Sequence, residues 1–541
     1  QGGITLESEV SLCLESSEPA CRMRLTVSGP ARGRIAVALR PYNPEGVSFI
    51  DTVARRTEGP GWLVNGRHPV TFDRAPIQML ASTYGHGDVS LRLAAHGADE
   101  ADAVCDVSMV TAAALFEADE IRTLEVRAPI YDELDPKHRP AFAAPTSWPD
   151  ALAPLAQLKI ADERMQRLYD QALGTVVLHC PGEVYPGPYT YKRFWFRDAV
   201  FILNALLTLG GSARTRKALE GFAPRQRRDG YFLSQEGEWD SNGEVLWFYH
   251  RYAALTGETL PRAWLDAVAK GAGWITRKRL PSGTGRPEAG LLPAGFSAEH
   301  LGPNDYYYWD DFWGVAGLRA AAALLPSHDA PLATRCGQEA TEFLEAILRS
   351  LPAGRHRRFP GAMPASPHRR MDSGAIGSIV ADYPLALFPP GEPRVVKTAD
   401  YLTEHCLYEG AFFQDMIHSG VNAYLTLHLA QVRLRSGQPE AAWALMDRVA
   451  ELASPTGQWP EAIHPRTGGG CMGDGQHVWA AAEWLLLVRN LFVREAEGSL
   501  LIGTGLRQEW LRVGDVHFGP TLTPFGDVSV RFAARTGGVQ V

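Results

Sequence analysis

Asp310 and Asp311 stand side by side among aromatic residues in YYYWDDFWGVAGLRA (306–320). A carboxylic acid ringed by aromatic side chains is partly desolvated, which raises its pKa and lets it keep a proton near neutral pH. Aromatic faces also stack on the C–H faces of sugar rings, so an acid on an aromatic platform points to glycoside chemistry. That chemistry needs a second carboxyl. An inverting reaction pairs a protonated acid at the leaving oxygen with a base that activates water about 6.5–9.5 Å away. Glu461, in GQWPEAIHPRTGG (457–469), is the candidate base, beside Trp459 on a segment stiffened by Pro460, Pro465 and several glycines. The candidate acid is Asp310 or Asp311.

Other polar and aromatic residues suit sugar subsites. YTYKRFWFRDA (189–199) offers Tyr191 and Trp195 as stacking faces, with Arg197 and Asp198 as donor and acceptor for hydroxyl groups. WDSNGE (239–244) adds Trp239, Asp240, Asn242 and Glu244. Tyr308, Trp309, Trp313, Trp459 and His477 complete the substrate-binding set. Each has a structural alternative. Asp and Asn are favoured N-caps, an Arg–Asp pair can be buried for structure alone, and His418 and His477 read as core histidines. No metal-ligand spacing such as H-E-x-x-H is present, and no cofactor is expected. The basic runs at 355–358 and 368–370 read as solvated loops, with contact to an anionic substrate as the rival reading.

The elements that must position these residues are helices. Met165, Leu168, Tyr169, Ala172, Leu173 and Val176 fall at i, i+3, i+4, i+7 spacing. By the same test about twelve segments are helical: 162–179, 198–209, 213–223, 242–256, 261–278, 311–324, 333–350, 374–386, 394–405, 419–436, 439–453 and 475–494. An Asp-bearing, often aromatic stretch precedes every second one, supplying Asp198, Asp240, Asp310/Asp311, Asp372, Asp415 and Asp474. Alternate helices of an up-down array start at the same end. These stretches therefore gather at one mouth of a ring of helix pairs, an α/α toroid.

Residues 1–130 read instead as short alternating strands, at 10–14, 22–27, 34–39, 61–64, 89–93, 104–110 and 121–126, separated by turn signals such as Asn65-Gly66. Strands at this spacing suggest an antiparallel β-sandwich. RPYNPEGVSF (40–49) is its one stretch suited to reach a cleft. A Pro/Ala-rich linker spans 131–158, the helical domain 159–496, and a C-terminal β cap 497–541. The fold class is thus α+β, multidomain. Cys13 and Cys21 flank a predicted hairpin turn and admit a cross-strand disulfide. A net charge of −8 argues against nucleic acid as a partner. No apolar run approaches the ~20 residues of a membrane span. The chain starts at Gln1 without an initiator Met, leaving room for a removed tag or targeting segment.

With these residues in hand, the chain resembles the glucoamylase and glucodextranase type of glycoside hydrolase, with the related glycogen-debranching glucosidases and trehalases. The resemblance covers roughly 160–495 and rests on WFRDA, WDDFW and PEAIHPRTG. It implies an (α/α)6 barrel, an Arg–Asp pair in the innermost sugar subsite (Arg197, Asp198), a general acid at Asp310 or Asp311, and a general base at Glu461. Glucoamylases carry Glu where this chain has Asp310 and Asp311. The implied activity is inverting, exo-acting hydrolysis of an α-glucan, an α-glucoside or a related oligosaccharide. A glycoside phosphorylase or polysaccharide lyase on the same toroid, and a non-catalytic saccharide-binding protein, are the rivals.

Overall fold

Burial sorts the helices of residues 163–492 into two kinds. All thirteen residues of Phe196–Thr208 are buried, and Ser241–Thr256, Tyr308–Leu324, Ser373–Ala381, Ala423–Arg435 and Val478–Phe492 are buried on nearly every side. Helices that are apolar all round belong inside a fold. Glu163–Leu178, Ser212–Leu219, Arg262–Lys278, Ala330–Ser350, Pro393–His405 and Pro439–Leu452 bury one stripe and solvate the other. The computed structural model describes the chain except residues 1–4, 16–17, 30–32, 44–45, 94–98, 119–121, 131–146, 299–301, 352–357, 418, 497 and 536–537.

The six inner segments form a closed ring. Each packs on the next in chain order, and the last, Val478–Phe492, packs back on the first. Each outer helix lies against an inner one, with Glu163–Leu178 covering Val478–Phe492. Glycine sets the closest approach in the ring. A Cβ on Gly243 would stand 2.1 Å from the Trp313 carbonyl oxygen, and one on Gly317 2.7 Å from the Gly243 Cα. The eighth segment, expected as a helix over 374–386, is a 3-10 helix over Ser373–Ala381, with the Asp372 carboxylate accepting the Gly374 amide.

The chain divides into two units, Gln1–Ser147 and Trp148–Val541. The first holds a seven-stranded and a three-stranded antiparallel sheet. Trp62, Phe72 and Leu124 of the larger sheet share one core with Val37, Met79 and Phe116 of the smaller. Two expected strands differ. Residues 89–93 form a 3-10 turn over Val89–Arg92, started by Asp88 accepting the Ser90 amide. The stretch 104–110 turns at Cys105–Ser108, so the long strand starts later, at Thr111–Glu117. No disulfide joins Cys13 and Cys21; both are free. The register pairs Cys13 with Ala20 and Leu12 with Cys21, and neighbouring residues of a strand point to opposite faces. Most of 40–49 lies outside the described side chains.

In the second unit the strand Gln157–Lys159, within the stretch expected to be linker, pairs with Val516–Thr523 in a four-stranded sheet. Phe518 and Phe532 of that sheet join the core of the helical ring. Among the described residues no helix is long and apolar enough to cross a membrane.

Candidate active site

The N-terminal ends of the inner segments carry two carboxyl centres. Glu461 is the first, directly before the short strand Ala462–Ile463, the fourth strand of a five-stranded sheet. Its backbone carbonyl accepts from Asn422 Nδ2 at 2.9 Å, and its carboxylate accepts from the Tyr191 hydroxyl at 2.5 Å. Tyr191 is itself anchored by Asp474, whose carboxylate accepts the amides of Tyr189, Thr190 and Tyr191 at 3.1, 2.7 and 3.0 Å. Only glycine fits at 187, where a Cβ would lie 2.1 Å from Asp474 Oδ2. Tyr191 and Asn422 therefore fix Glu461 directly, through carboxylate and backbone, and Asp474 fixes it through Tyr191. Asp474 works as an anchor, through backbone amides, rather than facing substrate.

Asp310 belongs to the second centre, in the first turn of Tyr308–Leu324. Its Oδ1 accepts from Ser297 Oγ at 2.8 Å, while Oδ2 is buried with no hydrogen-bond partner. Nearby Asp240 accepts from Trp309 Nε1 at 2.8 Å and from Arg197 Nη1 at 3.0 Å, and Arg197 Nη2 reaches Glu238 at 3.3 Å. Burial first, and then the charge of Asp240, push the Asp310 carboxyl well above the usual carboxylate range. Glu244, buried with neither carboxyl oxygen paired, is pushed up by the same two causes. Several acids thus crowd one guanidinium. Burial and mutual repulsion in so dry a place favour the protonated forms of Asp310 and Glu244.

Asp311 faces another way. Its Oδ1 accepts the Leu292 amide at 2.9 Å, and the nearby Arg279 pairs with Glu339 on an outer helix at 2.6 Å. Burial raises its pKa to about 8, against the opposing pull of the Leu292 amide and Arg279. A raised carboxyl contributes stability fully below its unfolded pKa, near 4, and loses it as pH rises through the folded value. Asp311→Asn keeps the acceptor and removes the titration. Its Tm relative to wild type will therefore rise between pH 5 and pH 9, by about 3 °C or more. Parallel melting curves for the two proteins would show a carboxyl that does not titrate there.

Tyr424, which the sequence does not single out, has Glu461 on one hand and the Arg197–Asp198 pair on the other among its charged neighbours. It is buried on Ala423–Arg435, and burial followed by Glu461, Tyr191 and Asp198 drives its phenol far above the ordinary range. His477 lies edge-on to it, with ring centroids 4.8 Å apart. Trp195 is half-buried beside Tyr191, with the Arg193 guanidinium 3.4 Å over its ring. Trp239 lines an adjoining pocket of about 510 Å³, and Lys278 Nζ stands 3.7 Å above its ring. Asp198 is buried in the first turn of Phe196–Thr208, next to Arg197.

Other candidates are turned into the packing. Asn242 donates to the Gly230 and Gly271 carbonyls and accepts the Phe232 amide, so its amide is fully engaged by backbone. Tyr308 takes a hydrogen bond from Ser350 of an outer helix. The Trp459 N–H donates to the Val449 carbonyl and its ring packs on Trp484. Trp313 is buried against Phe201 and Trp247 inside the ring. Arg369, read from sequence as part of a solvated run, is instead mostly buried and paired with Asp372 at 2.7 Å, within 3.3 Å of the Tyr307 hydroxyl. The signal for it is RRMDSG, the polar stretch before an inner segment. Asp415 accepts from Ser373 in the same cluster. His418 and residues 355–357 lie outside the described residues. No group of three or more metal-ligating side chains occurs among those described.

No protein-family model and no curated protein matches the chain. Solved structures do. A bacterial glucoamylase complexed with acarbose superposes with a TM-score of 0.62 at 11% identity, over 89% of this chain and 81% of that one. A rhamnosidase from Klebsiella oxytoca with rhamnose bound gives 0.53 at 12% identity, over 91% and 97%. A GH78 family rhamnosidase of Bacillus sp. GL1 gives 0.52 at 14%, over 97% of this chain and 52% of that chain. The chain shares the (α/α)6 toroid fold of these proteins.

Proposed function

We propose that this toroid is an inverting, exo-acting glycoside hydrolase acting on an α-glucan, an α-glucoside or a related oligosaccharide. The observation that carries the reading is the contrast between the two carboxyl centres. Asp310 sits in a dry, acid-crowded site that pushes its pKa well above the usual carboxylate range, while Glu461 is oriented by the Tyr191 hydroxyl, and a hydrogen bond to the charged form favours the carboxylate. In this scheme the Asp310 carboxyl gives its proton to the glycosidic oxygen. Glu461 takes a proton from the water that attacks the anomeric carbon, and the sugar leaves as a hemiacetal of inverted configuration. Arg197, Asp198, Tyr191 and Trp195 are assigned to the sugar subsite at the bottom of the mouth. Asp311, engaged with Leu292, positions the loop and does not act on substrate. The acarbose-bound glucoamylase and the rhamnose-bound rhamnosidase support a sugar as the ligand class.

Proton NMR of the protein with pooled α- and β-linked oligosaccharides, read from the first minutes, tests this. Inverted hemiacetal is expected from an α-linked member of the pool. Product of retained configuration, turnover only with added phosphate, or an unsaturated uronate would each overturn it.

A further inference from the structure

At the other end of the ring, the C-terminal halves of the inner segments enclose a cavity of about 120 Å³. Four guanidinium groups line it, from Arg251, Arg435, Arg489 and Arg494, with Glu495 as the carboxylate in its wall. The pairing is uneven. Arg489 holds Glu495 with two hydrogen bonds, at 2.6 and 2.7 Å, and Arg435 Nε holds Asp382 at 2.9 Å. Both carboxylates are thereby engaged. Arg251 gives its Nε to Asn204 Oδ1 at 2.7 Å and stands 4.0 Å from Glu495. Arg494 gives its Nε to Thr504 at 3.3 Å, but its Nη1 is buried with no hydrogen-bond partner, on a residue only 8% exposed. The second oxygen of Asp382, also unpartnered, stays outside hydrogen-bonding reach.

Helix dipoles explain part of this. Cations are favoured at helix C-termini, which accounts for Arg435 and Arg489, in the last turns of their helices. Those are the two arginines hydrogen-bonded to carboxylates. Arg251 lies more than a turn before the end of Ser241–Thr256, and Arg494 belongs to the strand Val493–Ala496. A buried guanidinium nitrogen with no acceptor is costly, and here the like-charged neighbours of Arg494 face the same cavity. Burial and then Arg435 lower the Arg494 pKa, and the Asp382 carboxylate, shared with Arg435, opposes them.

We propose that this cavity binds a phosphate-type oxyanion. Guanidinium forks arriving from several walls match the oxygens of a tetrahedral anion, and the site lies at the opposite end of the inner helices from Asp310 and Glu461.

The test titrates inorganic phosphate into the full-length protein in low-chloride buffer, by calorimetry and by Tm. Saturable binding with a rising Tm is expected. Arg494→Gln weakens it tenfold or more, and Arg494→Lys, which keeps the charge but loses the fork, weakens it less. Glu495→Gln tightens it severalfold by removing the competing carboxylate. A parallel titration with a sugar monophosphate separates the sources: competition assigns the site to phosphate esters as well, and failure to compete leaves it to the free ion. Absence of saturable phosphate binding to the wild type overturns the proposal. So does binding that is unchanged in every folded variant, which would place the anion elsewhere.

Discussion

Asp310→Asn will lose about 10²- to 10⁴-fold in kcat on an ordinary glycoside, the range that one general acid supplies, equivalent to about 3–5 kcal/mol of barrier. The amide preserves the shape and can still accept from Ser297, so the loss reports the missing proton rather than a misfolded site. A second substrate makes the assignment sharp. A glycosyl fluoride leaves without needing a proton, so Asp310→Asn should retain most of the wild-type rate on it. Equal losses on glycoside and fluoride would show that Asp310 serves the fold or binding and not proton transfer. Asp311→Asn is the internal control, expected within about tenfold of wild type on both substrates because its carboxyl engages Leu292. If Asp311→Asn shows the leaving-group pattern instead, the acid is the neighbouring residue.

Glu461→Gln is the second large effect, again about 10²- to 10⁴-fold in kcat with KM little changed, since a base acts on water in the transition state more than on bound sugar. Here the leaving group makes no difference, because the step that fails is activation of water. Glu461→Ala with azide supplies the positive signal. Azide attacks without needing deprotonation, so it restores turnover and forms a glycosyl azide of inverted configuration. Tyr191→Phe removes the hydrogen bond at Glu461 while leaving the ring in place. It should raise the acid-side pKa of the kcat/KM profile as well as lower the rate, because the phenol favours the charged form of Glu461. A near-normal rate in Glu461→Gln would sink the two-carboxylate mechanism.

The ring of helices was legible because its causes are local. Phe196–Thr208 and Val478–Phe492 are mostly apolar on every side and the helices between them alternate with one-sided partners, which period and composition record directly. The small sheet around Glu461 was not legible. Its strands are two to four residues long and widely separated in the chain, so no window carries a periodic signal. Among the seven aspartates of these six stretches, capping by the side chain holds for Asp372, while Asp474 holds three amides of a distant loop. Residue type alone does not separate those uses.

The amino-acid order by itself determined the sequence of helices, their inside and outside members, and the end of each inner segment that carries acid and aromatic side chains. It could not choose between Asp310 and Asp311, because neighbouring residues on a helix differ by about 100° in direction, and only the packed neighbours reveal that one faces Asp240 and the other Leu292. Nor could it bring Trp459 away from the mouth into the core, or gather Arg251, Arg435, Arg489 and Arg494 around one cavity. Those outcomes depend on closure of the ring, which places residues far apart in the chain within hydrogen-bonding distance of one another.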